Sequence, residues 1–209
     1  MEKKEMLYEG KAKKVYTTED PDVLIVSYKD DATAFNGQKK GTIVGKGAIN
    51  NRMTNFIFKK LEAQGVPTQL VEELNDRETA VKKVEIVPLE VIIRNYSAGS
   101  FAQKMGMEEG IKFKCPTLEF SYKNDDLGDP MVNDYHILSM GLATREELDQ
   151  IAEMSFAINK MMVEFFKSVN VDLIDFKIEF GKTSDGKIIL ADEISPDTCR
   201  FWDSDTHEK

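Results

Sequence analysis

Leu173-Ile-Asp-Phe-Lys-Ile-Glu-Phe-Gly181 is the stretch on which the reading of this chain turns. Ile174, Phe176, Ile178 and Phe180 alternate with Asp175, Lys177 and Glu179, and side chains in a β-strand point alternately to opposite faces. The spacing predicts a strand with one apolar face and, on the other, two carboxylates around one ammonium. Ile188-Ile-Leu-Ala-Asp-Glu-Ile194 predicts a second strand ending in two more acids, and the turn formers of Lys182-Thr-Ser-Asp-Gly186 between them predict an antiparallel hairpin. Such a hairpin gathers Asp175, Glu179 and either Asp192 or Glu193, and like charges so placed repel. A lysine and a divalent cation among them relieve that repulsion. Carboxylate oxygens suit Mg²⁺, which usually arrives with phosphates. An amphipathic strand with a solvated polar face, on which Lys177 only neutralises its neighbours, fits the same spacing. A slip of one residue in register exchanges the faces.

Working outward to the N-terminus, Met6-Leu-Tyr8, Val15-Tyr-Thr17 and Asp22-Val-Leu-Ile-Val-Ser-Tyr28 predict short antiparallel strands. Between the first two lies Gly10-Lys-Ala-Lys13, whose backbone amides and lysines suit phosphates in the way a kinase glycine-rich hairpin does. It is not a Walker loop, which joins a strand to a helix, and a plain surface hairpin also carries lysines. Ile49, Met53, Phe56, Ile57 and Leu61 fall at helical spacing, with a stop near Gly65, and 68–74 follows as a strand. The apolar run 84–96 splits at Pro88, which interrupts ladder pairing. Its second half is a strand ending at Arg94, followed by a turn, Ser97-Ala-Gly-Ser100, and a short helix to Met105 capped by Ser100. A strand end, a small-residue turn and a helix start make an anion site, to which arginine adds a bidentate fork. Arg94 paired with Glu90 or another acid is the competing reading.

Residues 106–130 read as loop with a strand near 118–122, and Asn133 as the cap of a short helix to Met140. Thr144-Arg-Glu-Glu147 is a capping box that opens the longest helix, with Leu148, Ile151, Ser155, Ile158, Met162, Phe165 and Val169 along one face. Ser195-Pro196 reads as an N-cap and first helical residue, with Arg200 one turn on. Lys123-Asn-Asp-Asp126 and Gly128-Asp-Pro130 read as turn chemistry.

The 209 residues are 41% hydrophobic and 31% charged, an ordinary globular balance. They suffice for one large domain or two small lobes. A net charge of −9 argues against nucleic-acid binding and requires any anionic ligand to find a local positive pocket. Lys3, Lys4, Lys11, Lys13 and Lys14 offer one. Cys115 and Cys199 do not make a disulfide framework, which fits a reducing, cytoplasmic setting. There is no apolar leader and no run near the roughly 20 apolar residues of a membrane helix. His136 and His207 are isolated, which disfavours a histidine metal cage or triad. The organisation expected is α+β in two lobes: 1–82, a small, mainly antiparallel sheet lobe with one helix, and 83–209, a larger lobe with an antiparallel sheet and a long helix.

Several stretches together resemble the SAICAR synthetase family. Ile86-Val-Pro-Leu-Glu-Val-Ile-Ile-Arg-Asn-Tyr-Ser-Ala-Gly-Ser100 and Leu173-Ile-Asp-Phe-Lys-Ile-Glu-Phe-Gly181 carry the resemblance. Leu7-Tyr-Glu-Gly-Lys-Ala-Lys13, Lys123-Asn-Asp125, Gly128-Asp-Pro130 and Ala191-Asp-Glu-Ile-Ser-Pro-Asp197 agree in the same order. The resemblance implies a kinase-like ATP-binding N-terminal lobe and a C-terminal lobe for metal and CAIR. It implies an ATP-dependent ligase that joins the carboxylate of the aminoimidazole ribonucleotide CAIR to the amine of L-aspartate, with Mg²⁺, in de novo purine synthesis. A homo-oligomer, a dimer, is compatible with it. Gly10, Lys11, Ala12 and Lys13 match the phosphate hairpin, with Val15 under the adenine, and Lys82 and Ile86 match the connection bordering the base. Glu179 and Asp192 match the Mg²⁺ ligands, and Lys123 lies near the ribose or phosphates. Arg94, Ser100 and Arg200 match binders of the ribonucleotide phosphate, while Asp175 and Lys177 belong beside the CAIR head group as the catalytic pair. Asp129 is the candidate for the base that takes the amine proton.

Two departures stand out. Asn36 replaces the aspartate of many relatives, and the family pattern continues past Lys209 for about one further helix, which the resemblance implies packs on the second lobe. A kinase lacks support because the His-Arg-Asp and Asp-Phe-Gly signatures are absent. A nucleotide-binding module without catalysis is the remaining alternative.

Overall fold

The structure is a computed structural model and describes residues 1–34 and 39–209; Asn36 lies outside the described residues. In chain order the elements begin β1 (Met6–Glu9), β2 (Lys13–Thr17), β3 (Val23–Tyr28), β4 (Asp31–Ala34), β5 (Lys39–Thr42), α1 (Lys46–Glu62), β6 (Leu70–Asn75) and β7 (Glu78–Lys82). They continue β8 (Glu85–Ile86), β9 (Leu89–Tyr96), α2 (Gly99–Met105), β10 (Lys112–Tyr122), β11 (Met131–Val132), α3 (Asp134–Met140), α4 (Arg145–Lys167), β12 (Val171–Lys182), β13 (Ile188–Ala191) and β14 (Cys199–Asp203). The fold is α+β, as expected. No helix among the described residues is long and apolar enough to cross a membrane.

The chain forms two compact units, Met1–Glu85 with Lys182–Asp197, and Ile86–Gly181 with Thr198–Lys209. The single cut expected after Lys82 misses the return of 182–197 to the first unit. That return is set by hydrogen bonds far apart in sequence, which no local pattern announces. Gln69 N donates to Leu190 O (2.9 Å), Leu190 N donates to Pro67 O (2.9 Å), and Thr68 bridges Leu190 in parallel.

In the first unit the sheet runs β1-β2-β3-β7-β6, antiparallel throughout. Val15, Val26, Tyr28 and Val81 form a buried cluster with Leu24 against it. The span of α1 agrees with the expected helix, but of its expected buried face only Ile57 and Leu61 are fully buried. Ile49 is 58% exposed and Phe56 49%, while Asn50, Asn51, Thr54, Asn55, Ile57, Phe58 and Leu61 are buried. The apolar period misplaced the face because polar side chains are buried when each finds a partner. Asn55 Nδ2 donates to Thr79 Oγ1 (2.7 Å), Thr79 Oγ1 to Asn51 Oδ1 (2.7 Å), and Thr54 Oγ1 to the Ile194 carbonyl (3.1 Å).

The start of α1 is held by Asp30, a residue the sequence did not single out. Its carboxylate accepts from the amides of Gly45 (3.1 Å) and Gly47 (2.9 Å) and from both terminal nitrogens of Arg77 (2.7 and 2.9 Å). The Arg77 guanidinium and these amides hold its carboxyl far below the usual carboxylate range. Glycine is required at Gly47, where a β-carbon would stand 2.7 Å from the Tyr28 carbonyl oxygen.

In the second unit β11, β10, β9 and β12 pair in that order, with β14 also on β12. Ile174, Phe176, Ile178 and Phe180 are each at most 1% exposed, so the predicted apolar face of β12 is core. Two of the predicted caps form: Asn133 accepts from His136 N (3.0 Å), and Thr144 Oγ1 accepts from Glu147 N (3.2 Å). On α4 the buried face includes Leu148, Ile151, Ser155, Ile158 and Met162, while Val169 lies past the helix end and is 56% exposed. Strand β10 is longer than the predicted 118–122: Lys112 also pairs with Tyr96 on β9, across a register shift between Lys112 and Thr117. Pro116, which cannot donate to a ladder, falls in that break. The helix expected at Ser195-Pro196 is absent. Ser195 Oγ accepts from Asp197 N (3.1 Å), which is cap chemistry used in a turn, and Arg200 lies on a strand, β14.

Candidate functional site

Candidate groups occur in both units, and each is described within its own. In the first unit, Gly10 N donates to the Lys13 carbonyl (2.8 Å) and closes the turn between β1 and β2. Lys29 secures that turn from β3's end: its amide donates to Ala12 O (2.7 Å), and its ammonium meets the Gly10 carbonyl (3.3 Å), Glu9 (2.7 Å) and Asp31 (2.6 Å). Lys11 at the tip is exposed, and Val15 on the following strand is buried in the Val26–Tyr28–Val81 cluster.

Lys13 turns inward. Its ammonium lies 2.5 Å from Asp192 Oδ1 and 3.0 Å from Glu193 Oε1, above the Tyr28 ring at 5.4 Å. Burial works against this charge, but the attraction of Asp192 and then Glu193 outweighs it and holds the Lys13 pKa well above the ordinary lysine value. Burial pushes the Tyr28 phenol up, against the pull of Lys13. The sequence left open which acid, Asp192 or Glu193, joins the site; both meet Lys13. Glu193 also accepts from Ser195 Oγ (2.6 Å). Asp197 meets Lys46 (2.5 Å) and Asn50 (2.9 Å) at the start of α1. Lys82 donates to the Thr68 carbonyl (3.0 Å).

In the second unit the polar face of β12 is buried, not solvated: Asp175 is 5% exposed and Glu179 3%. Asp175 pairs across β12 with Arg94 on β9 and with Arg200 on β14. Arg94 gives one guanidinium nitrogen to Asp175 Oδ2 (2.6 Å) and two others to Glu119 (2.6 and 3.3 Å). Arg200 Nε stands 3.5 Å from the other Asp175 oxygen. Opposite charges on facing positions stabilise a sheet, and here Asp175 faces an arginine on each side, Arg94 and Arg200, while Glu119 reaches Arg94 diagonally, Thr117 being the residue that faces Arg94. Burial pushes the Asp175 carboxyl above its ordinary value, against the pull of Arg200 and then Arg94. Pairing of Arg94 with acids was one of its two sequence readings; Glu119 was not foreseen, since its partner lies 25 residues away.

Further along β12, Lys177 meets Glu90 (2.7 Å) and Glu179 (3.2 Å). The same Glu179 oxygen receives the exposed Lys123 (2.7 Å), whose amide donates to Pro88 O (3.0 Å). Ile86, the last residue of β8, is 36% exposed. Asp129 is held by the loop: it accepts from Asn124 N (2.8 Å) with a backbone φ of 49°.

Ser100 does not cap α2. The cap position is Ala98, with no side-chain bond, and Ser100 lies exposed in the first turn. The residue that matters sterically is Gly99. Its φ is +53°, its amide donates to Glu109 Oε1 (2.9 Å), and the Arg200 guanidinium occupies the space of a β-carbon. On the reading of Arg200 as a binder of the substrate phosphate, proposed below, Gly99→Ala is expected to displace Arg200 and raise KM for that substrate roughly tenfold or more, because both strain and overlap oppose the methyl. Steady-state kinetics alongside a thermal melt check this; an unchanged KM removes the packing of Arg200 on Gly99 as a determinant of binding.

Among the described residues no three His, Cys, Asp or Glu side chains are grouped to hold a metal by themselves. The carboxylates available are oxygen donors of the kind Mg²⁺ takes one or two at a time, beside phosphate oxygens.

The family model for SAICAR synthetase matches residues 6–209. The phosphoribosylaminoimidazole-succinocarboxamide synthase of Lachnoclostridium phytofermentans is 68% identical over all of this chain and 88% of its own length. A crystal structure of the synthase of that name from Ehrlichia chaffeensis superposes with a TM-score of 0.95 at 46% identity, covering 98% of this chain and 87% of that one. A SAICAR synthetase solved in complex with ADP gives 0.93 at 43% identity, over 96% and 85%. Whole-length agreement in sequence and in fold places the protein: it belongs to the SAICAR synthetase family and is a ligase of purine biosynthesis.

Proposed function

We propose that the protein uses ATP to join the carboxylate of CAIR to the amine of L-aspartate through an acyl phosphate. A carboxylate is a poor electrophile and its charge repels a nucleophile. Transfer of the γ-phosphoryl to a carboxylate oxygen releases ADP and makes that oxygen part of a good leaving group. The L-aspartate nitrogen then attacks the carbonyl carbon, the C–O bond to phosphate breaks, and the amine loses a proton to give the amide. Catalysis of this kind rests on positioning and charge neutralisation.

In the first unit Gly10, Lys11, Ala12 and Lys13 act on the phosphates, with Val15 and Lys82 toward the base. In the second, Ile86 borders the base and Lys123 the ribose or phosphates. Mg²⁺, when bound, offsets phosphate charge; Asp192 in the first unit and Glu179 in the second each offer it a carboxylate, and their oxygen-donor chemistry fits. Arg200 and Ser100 take the ribonucleotide phosphate, together with Arg94. The triple bonding of Arg94 to Glu119 and Asp175 supports a further duty, fixing Asp175 beside the CAIR head group. Lys177 opposes the charge that builds during transfer.

The observation that carries this reading is the buried acid–base face of β12, where Glu179 receives two lysines and Asp175 meets two arginines. Charge density of this kind, out of water, suits ligands that bring several charges of their own. Supplying CAIR, L-aspartate and ATP with Mg²⁺ is expected to release ADP at the full rate only when all three are present. ADP release at that rate without L-aspartate marks a kinase instead, and nucleotide-dependent thermal stabilisation without turnover marks a binding module.

A further inference from the structure

We infer that Gln69 is a positioning residue for the nucleotide-side metal carboxylate, acting on Asp192 through the backbone. This rests on the reading that Asp192 holds Mg²⁺. Asp192 has a backbone φ of 60°, the left-handed region that residues other than glycine enter at a cost and that persists where surroundings over-determine it. The surroundings are specific. Gln69 is 8% exposed, and its side-chain amide donates to the Asp192 carbonyl (3.0 Å). Its own main chain is pinned on both sides, with its amide to Leu190 O (2.9 Å) and its carbonyl accepting from Lys82 N (2.7 Å). The segment that carries Gln69 therefore holds the end of β13 and, one side chain further, the first peptide beyond it.

That peptide sets where the Asp192 carboxylate goes. With the carbonyl held, the side chain is delivered to Lys13 at 2.5 Å. Released, residue 192 has an unstrained extended conformation open to it, in which the carboxylate leaves that position. The left-handed turn is thus kept by a buried side-chain amide whose hydrogen bond ends on the Asp192 backbone.

The test is calorimetric titration of the intact protein with Mg·ADP and, separately, with ADP in EDTA. It uses Gln69→Met, which keeps the volume and removes the donor, together with Asp192→Asn and the double variant. Should Gln69→Met not fold, Gln69→Leu removes the donor without adding a charge and carries the same expectation. Gln69→Met is expected to weaken Mg·ADP roughly tenfold, the size seen for residues that orient metal ligands, and to leave metal-free ADP unchanged. Combined with Asp192→Asn it is expected to add nothing, since both act at one carboxylate. If Asp192→Asn binds Mg·ADP as the parent does, the assignment of Asp192 to the metal falls and this inference with it. If Asp192→Asn loses affinity while Gln69→Met does not, the role of Gln69 alone is overturned. A Gln69→Met loss equal for both ligands, or additive with Asp192→Asn, likewise overturns it, because a general loosening of the fold gives that pattern.

Discussion

Glu179→Gln is expected to reduce Mg·ATP-dependent turnover by roughly two to three orders of magnitude, the scale of losing one preorganised charge interaction at a reacting centre. The substitution changes charge and hardly changes shape. Glu179 is 3% exposed, and its partners differ in how they bear its loss. Lys177 keeps Glu90 at 2.7 Å, and Lys123 is 44% exposed and can be hydrated. The fold should therefore survive with a stability loss of about 1–2 kcal/mol, the cost of replacing a charge-assisted hydrogen bond. What goes is an anionic oxygen donor that a hard cation needs. Turnover measured against Mg²⁺ concentration, with a melt as control, checks this. Activity within a few-fold of the parent, at unchanged Mg²⁺ requirement, removes Glu179 from the metal set.

Arg94→Ala is expected to cost about 3–5 kcal/mol of stability, the penalty for leaving buried charges uncompensated, and to raise KM for CAIR more than KM for ATP. Glu119 at 9% exposure and Asp175 at 5% lose the guanidinium they share. Arg94→Lys should not rescue, since an ammonium cannot fork between two carboxylates. The pH dependence follows from the sign of each influence. Burial already raises the Asp175 carboxyl, while Arg200 and Arg94 pull it down. Removing Arg94 lets it rise further, so Asp175 loses its charge at higher pH and the acid limb of the rate profile moves up. An unaltered melting temperature contradicts the network reading, and a selective rise in KM for ATP moves Arg94 to the nucleotide.

Much of this architecture was legible locally. The strand β12, the split at Pro88, the caps at Asn133 and Thr144 and the β1–β2 hairpin follow from period-two alternation, a missing donor, capping chemistry and turn formers. These are effects confined to a few neighbouring residues. The misreadings share a cause at the opposite range. The buried face of α1 takes in polar side chains beside Ile57, Phe58 and Leu61 because Asn51, Asn55 and Thr54 find partners elsewhere in the first unit. Ser195-Pro196 opens no helix because the chain continues into β14 on β12. Ser100 is not a cap because the close approach of Arg200 to Gly99 sets that turn.

The site divides in the same way. The sequence by itself determined which side chains share the polar face of β12 and, through whole-length motifs, which family the chain belongs to. Only the tertiary structure decided that this face is buried and that Glu119 completes the Arg94 pairings. It alone decided that both Asp192 and Glu193 meet Lys13, and that 182–197 returns to the first unit. Alternation and capping are written into adjacent residues. Burial and ion pairing between residues tens of positions apart depend on which segments the fold brings together, and that is a property of the whole chain.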